Sequence, residues 1–233
     1  MTKFKFIPLF TGTIIVLGGA LYVKSISSTP QEPVRAEAPG RLKQWVQEAK
    51  SKGQTRLELH GRVFNRAQFT NLNDALTTFS LILVEPVNKK SVIEEDEVIN
   101  TWYKFRIIDT LSQAKVTYNF SFMLPPPELL PLQPAEILVP VGGGTMTVDG
   151  IEVSSGEPGE PGLVAFDEKQ QYLLFLCVDP AAKIGTADLG SAGVFLMRAD
   201  DTLGAFNVDK HRVYDALQAN SISELKRNLK HRR

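Results

Sequence analysis

Cys177 is the chain's single thiol. A lone cysteine does nucleophilic chemistry only as a thiolate beside a base, in an accessible, electropositive setting. The surrounding run, Leu173-Leu174-Phe175-Leu176-Cys177-Val178, is apolar, which describes a small core residue instead. With one cysteine there is no internal disulfide, so stability has to come from the core. The three histidines, His60, His211 and His231, are scattered; no HxxxH motif and no cysteine pair is present, so the common zinc signatures are missing. His60 falls on the polar side of an alternating segment. His211 and His231 belong to carboxyl-terminal helical segments, where positive groups complement the helix dipole.

Two SxxK matches, Ser112-Gln113-Ala114-Lys115 and Ser223-Glu224-Leu225-Lys226, offer the spacing with which Ser-Lys hydrolases set the two side chains one helical turn apart. That chemistry needs a desolvated, deprotonated lysine. The first match lies between strand-like segments, and the second is a helix cap leading into a basic face. A hydrolase would therefore have to assemble Ser112 and Lys115, or Cys177 and His60, through the fold. There is no GxSxG, HExxH or EF-hand loop, and Gly142-Gly143-Gly144 lacks the GK[ST] and helix of a phosphate cradle. No cofactor or metal is implied. Glu94-Glu95-Asp96-Glu97 reads as a solvated loop, since four adjacent acids point in different directions.

The carboxyl-terminal cluster is the better candidate. Lys226, Arg227, Lys230, Arg232 and Arg233, with His231 among them, present positive charge to an anionic lipid surface or an acidic envelope partner. Each basic residue contributes about 1 kcal/mol near such a surface. The competing reading is a solvated helix end that complements its own dipole.

The elements that position these residues are mostly strands. Leu42, Trp45, Val46 and Ala49 recur at helical spacing, and Gly53 stops the run, predicting a short amphipathic helix. Period two then takes over: Leu57, Leu59, Gly61 and Val63 alternate with Arg56, Glu58, His60 and Arg62. A helical turn at Asn73-Asp74-Ala75-Leu76 leads into Phe79 to Val84. The stretch Ile99 to Leu111 alternates most clearly, and its aromatic and β-branched residues suit a strand. Lys115 to Phe122 alternates too. Pro125-Pro126-Pro127, Pro131 and Pro134 then mark an extended insertion. Glu136 to Val141 resumes a strand, Asp149-Gly150 signals a hairpin, Tyr172 to Val178 reads as buried, and Gly193 to Phe206 as a hairpin about Asp200-Asp201. Val208, Val213, Ala216 and Leu217 predict one helix, and the capping box Ser221-Ile222-Ser223-Glu224 opens another. The expected fold is mainly β, an antiparallel barrel or sandwich of about 8–10 strands, with an amphipathic helix before it and helices after it.

The amino terminus places this fold at a membrane. Phe6 to Val23 is an 18-residue stretch without charge, between Lys3/Lys5 and Lys24. As a helix it spans about 27 Å, close to the hydrocarbon thickness of a bilayer. Its length favours an uncleaved signal anchor over a cleaved signal peptide, whose apolar region is shorter. Ser25-Ile26-Ser27 is the imperfect cleavage site that would make the protein secreted. The lysines keep the amino terminus cytoplasmic and send the rest out. The organisation expected is a transmembrane anchor over residues 1–24, a Pro/Ser linker over 25–40, a β-rich exported domain over 41–206 with a Pro-rich insertion near 123–134, and helices with a basic tail over 207–233.

The chain is formally neutral, with 26 basic and 26 acidic residues in 233. That balance gives no basis for nucleic-acid binding, but it is a cancellation. Setting aside Lys3, Lys5, Lys24 and the five basic residues of the tail leaves 18 Lys/Arg against all 26 acids. An acidic body therefore lies between two basic ends.

The segments Asp74-Ala75-Leu76 with Phe79 to Val84, Thr101 to Ile107, Val139-Pro140-Val141-Gly142-Gly143, and Phe166 with Gln171 to Leu176 resemble an uncharacterised type of exported bacterial β domain. That domain is a small barrel with a helical turn before its first long strand. The resemblance covers roughly residues 70 to 206 and implies fold and export, without a catalytic residue. The expected function is a membrane-anchored, extracytoplasmic binding or envelope-assembly module. The alternatives are a purely structural envelope component that docks through its basic helix, and a hydrolase using one of the Ser/Lys or Cys/His sets above.

Overall fold

A computed structural model describes residues 40–60, 71–94, 98–156, 165–189, 193–205, 217 and 221–230. The expected anchor, nearly all of the linker, the first carboxyl-terminal helical segment apart from Leu217, and Arg232 and Arg233 lie outside the described residues. The elements are α1 (Arg41–Ser51), β1 (Arg56–His60), α2 (Leu72–Thr78), β2 (Ser80–Glu94), β3 (Val98–Ser112), β4 (Glu136–Gly142), β5 (Gly144–Val148), β6 (Ile151–Gly156), β7 (Tyr172–Asp179), β8 (Ile184–Thr186), β9 (Val194–Met197), β10 (Leu203–Ala205) and α3 (Ile222–Lys230). The protein is mainly β, as its alternating segments predict.

Five strands close a barrel. β7, β2, β3 and β4 pair antiparallel in that order, β4 pairs β8 in parallel, and β8 returns antiparallel to β7. β9 and β10 extend the sheet from the amino-terminal half of β7, whose other half is taken by β8. A five-stranded barrel has little internal volume, so side chains fill it. Ile82, Val84, Tyr103, Phe105, Ile137, Val139, Leu174 and Leu176 form that filling. Gly185 supplies β8's share, because a Cβ there would lie 3.1 Å from Leu176 Cδ1 and 3.2 Å from Ile137 Cδ1. Phe166 packs against this filling, edge-on to Tyr103, Phe105 and Tyr172 at centroid distances of 4.9, 4.9 and 4.8 Å.

The prolines within strands fall where no ladder bond is lost. Pro86 follows the last β2–β7 pair, Val84 with Tyr172, and Pro140 lies beyond the single β4–β8 pair at Leu138.

Both outer faces are covered. Leu81, Leu83, Leu173, Phe175, Phe195 and Leu203 lie beneath Ala75 of α2 and Ile222, Leu225 and Leu229 of α3. On the opposite wall, Trp102, Leu138 and Ile184 lie beneath Leu129, with Met123 and Leu132 beside it. The proline-rich stretch is thus a strap across the barrel. It contains a short 3-10 turn, Pro127–Leu129. The strand expected at Lys115 to Phe122 does not form; the chain there is irregular. Its alternation has a different cause, since Tyr118 and Phe120 stack on each other and pack against the α2/α3 side of the barrel.

A second, three-stranded sheet, β1–β6–β5, carries α1. Leu42, Val46, Leu59, Ile151 and Val153 pack there with Ile93 and Ile99, from the far end of the β2–β3 hairpin. The passage from β4 to β5 runs through Gly143 (φ +86°) and Gly144 (φ +143°). The Gly143 amide donates to Ile99 O at 2.6 Å, and Thr101 Oγ1 donates to Gly143 O at 2.9 Å.

Candidate functional site

The carboxyl-terminal helix α3 begins as its capping box predicts: Ser221 Oγ accepts the Glu224 amide at 3.1 Å. Asp201, in the β9–β10 turn, adds a second hold. Its carboxylate accepts Ser223 Oγ at 2.9 Å and the Ser223 amide at 3.3 Å, while its carbonyl accepts the Ile222 amide at 3.0 Å. Ile222, Leu225 and Leu229 are buried on the barrel, so spacing of three and four residues turns the basic side chains outward.

The basic residues then differ in their engagement. Lys226 Nζ lies 2.7 Å from Asp109 Oδ2 of β3, a half-exposed ion pair between helix and barrel. Arg227 reaches Glu224 at 3.9 Å within the helix, and its side chain is 68% exposed. Lys230 is exposed in the last turn, where its charge suits the helix dipole. Of the described basic residues of the cluster, Arg227 and Lys230 are exposed, while Lys226 is paired with the barrel.

The SxxK sets are not assembled. Ser112 ends β3, and Lys115 is exposed in irregular chain, its amide donating to Thr77 O at 3.1 Å. In the second match Ser223 is held by Asp201 and Lys226 by Asp109. Neither lysine has the desolvated setting that would make it a base.

Cys177 is buried, on the face of β7 beneath the helices. Its thiol donates to Asp188 Oδ2 at 3.3 Å. Burial, with the Asp188 carboxylate beside it, pushes the Cys177 thiol up to about 12. The neighbouring Tyr118 hydroxyl donates to Thr78 O at 3.3 Å, and burial also holds its proton on. An acid beside a buried thiol opposes thiolate formation. His60 belongs to β1, in the other sheet. The strands that carry Cys177 and His60 thus belong to different sheets.

Other acids in the described residues are engaged in structural hydrogen bonds. Glu94 accepts Asn100 Nδ2 at 2.6 Å and Trp102 Nε1 at 3.4 Å. Asp179 accepts the amides of Phe120, Ala181 and Ala182 at 2.7, 2.9 and 3.1 Å, and these donors hold its carboxyl below the usual aspartate range. Among the described residues no three His, Cys, Asp or Glu side chains converge as a metal site would require. No helix among them is long and apolar enough to cross a membrane; residues 6–23 are not among them.

Sequence reasoning overlooked the strap's outer surface. Phe122 and Leu124 are 73% and 86% exposed. The signal that would have pointed there is compositional, because residues 116–135 contain one charged residue, Glu128. No family model, curated protein or solved structure matches the chain.

Proposed function

We propose that this protein is a membrane-tethered, exported β-barrel module that binds or assembles envelope components through its outer surface. The reading rests on the uncharged 18-residue segment at residues 6–23, with its flanking lysines and the Pro/Ser linker behind it. The geometry of the body supports a surface role. Side chains fill the barrel, both outer faces are covered, and Cys177 and Ser223 are engaged in structural bonds. What is left for recognition is the exterior, where Arg227 and Lys230 form the positive face of α3 on an otherwise acidic body.

Topology tests the reading directly. In bacterial cells expressing the full chain, the protein should stay in membranes after an alkaline wash, and protease added to spheroplasts should degrade its body. Release by the wash, or protection of the body until the membrane is breached, would refute it. The partner face is tested with Arg227→Glu and Lys230→Glu together. These exposed substitutions leave the packed residues of α3 in place, whereas deleting residues 221–233 would remove Ile222, Leu225 and Leu229 from the core. Loss of co-purification with an envelope partner, at unchanged thermal stability, is the expected outcome.

A further inference from the structure

Seven large apolar side chains are exposed among the described residues, and four of them, Val116, Phe122, Leu124 and Leu130, lie in the stretch between β3 and β4 that includes the strap. The one charged residue of positions 116–135, Glu128, is neutralised by Lys90, whose Nζ lies 2.9 Å from its carboxylate. The tip that carries Phe122 and Leu124 is fastened on both sides. Before it, the Phe120 amide is bound by Asp179; after it, Leu129 is 1% exposed in the cluster with Trp102. The two side chains thus project from a fixed backbone.

That backbone presents no continuous row of free donors. The amides of Phe120, Ser121 and Met123 donate to Asp179 Oδ2, Asn119 Oδ1 and Phe120 O. Pro125, Pro126 and Pro127 have no amide hydrogen. A protein partner that adds a strand needs a row of open N–H groups. The interfacial layer of a bilayer makes no such demand, because it takes apolar side chains while the backbone stays at headgroup level, where water reaches it. Exposed apolar side chains with no unpaired charge, on a stretch whose prolines leave no continuous row of N–H groups, are the combination that suits the lipid interface.

We propose that the Phe122/Leu124 tip inserts into the interfacial layer of the bilayer to which the chain is tethered, a role that rests on the anchored reading above. The linker of residues 25–40 reaches at most about 55 Å fully extended, so the body never leaves the neighbourhood of the membrane. Tethering makes the second contact intramolecular, so a small apolar tip suffices where it would be too weak alone. The acidic body adds no attraction to anionic lipid. Docking is therefore apolar, occurs on zwitterionic bilayers and depends little on salt.

The test uses the full chain, reconstituted into phosphatidylcholine vesicles, with an environment-sensitive NBD fluorophore on Leu124→Cys. A second chain labelled at Thr147→Cys, in the three-stranded sheet, serves as the water-exposed reference. The unsubstituted chain, whose Cys177 is buried, should take no label. Flotation with the vesicles reports the anchor by itself. In the floated fraction, the label at 124 should be blue-shifted and lose about half of its emission to brominated lipid, at a depth of about 5–10 Å into the headgroup–acyl boundary; the reference should do neither. A floated chain with a water-exposed label at 124 overturns the docking and leaves the anchor standing. A label that is blue-shifted but unquenched by lipid means that a second copy covers the tip, and overturns it as well. A chain that does not float overturns both readings.

Discussion

The carboxylate of Asp179 accepts the backbone amide of Phe120 at 2.7 Å, across 59 residues of sequence. Asp179 ends β7, and its other oxygen binds the amides of Ala181 and Ala182 in the turn to β8. One buried acid therefore ties the closing turn of the barrel to the strap that covers its far wall. It is the residue through which barrel closure and strap position are linked.

Removing that charge should loosen the strap before it unfolds the barrel. Its amide partners hold the Asp179 carboxyl below its ordinary range. A carboxyl lowered in the folded state contributes stability above the unfolded aspartate range and loses it as pH falls through the folded value. Hydrogen exchange at the Phe120 amide, corrected for intrinsic rate, should therefore accelerate in acid. In Asp179→Ala it should be faster by about tenfold at neutral pH, with the acid dependence gone. Equal protection in the two proteins would show that the strap is held by Leu129 and its neighbours alone.

Phe166 should be among the costliest residues to truncate. It is 5% exposed and touches three rings edge-on. Its neighbour Asp167 donates its amide to Tyr172 Oη at 2.9 Å, so the segment has little freedom to close a gap. Phe166→Ala is expected to destabilise by about 3–5 kcal/mol, read as a lower urea midpoint at constant slope.

Where neighbouring residues carry the information, the sequence was readable. Alternation from Thr101 to Ile108 predicted β3, and Asp149-Gly150 predicted the β5–β6 hairpin, where both residues have positive φ, +49° and +83°. Barrel closure was not readable, because it depends on one parallel contact, Leu138 with Ile184, between segments with no shared pattern. The same limit hid the role of Phe166: the sequence marked it only as part of a resemblance, and its packing shows once β3 and β7 bring Tyr103, Phe105 and Tyr172 around it. Alternation misled at Lys115 to Phe122, where period two reflected Tyr118 and Phe120 packing on the barrel rather than a ladder. For the candidate site, the sequence located the basic residues of α3 but not their pairing, since Asp109 and Lys226 are far apart in the chain.

Gly144→Ala should damage the junction of the two sheets. Gly144 has φ +143°, and a Cβ there would overlap Thr101 Oγ1 and lie 3.2 Å from Ser91 Oγ. Thr101 cannot move away without giving up its bond to Gly143 O and its 2.9 Å contact with Ser91. A loss of about 1–3 kcal/mol is expected from strain and overpacking. Gly150→Ala is the control, because its Cβ would meet nothing within 4 Å although φ is +83°. Chemical denaturation of both variants separates the overlap from the backbone strain.

Helix α3 is held by its apolar face. Leu225→Ala, at a residue 3% exposed, should cost about 2–5 kcal/mol. The Lys226–Asp109 pair is about two-fifths exposed on each side, so solvent screens it. A double-mutant cycle with Lys226→Ala and Asp109→Ala should give a coupling below about 1 kcal/mol. A coupling several times larger would make that pair, and not the leucines, the device that seats the helix.

Cys177 should behave as a proton reservoir at alkaline pH rather than as a nucleophile at neutral pH. Burial raises its thiol to about 12, above the ordinary range of about 8.5 for an exposed cysteine. Native protein at pH 8 should therefore resist thiol reagents, and labelling should appear only with unfolding. A group raised in the folded state contributes stability that is complete below its unfolded pKa and is lost as pH climbs through the folded value. The folded protein should lose stability between about pH 8.5 and about 12 as the unfolded thiol ionises and the native thiol resists. Tyr118, beside it and also raised by burial, adds to the same alkaline limb. Cys177→Ala leaves a cavity and lowers stability at pH 7, yet its denaturation midpoint should fall less steeply above pH 9 than that of the wild type. Parallel alkaline limbs in the two proteins, or rapid labelling of native Cys177 at pH 8, would mean that the thiol is open to solvent and ionises freely, contrary to its packing against Asp188 and Tyr118.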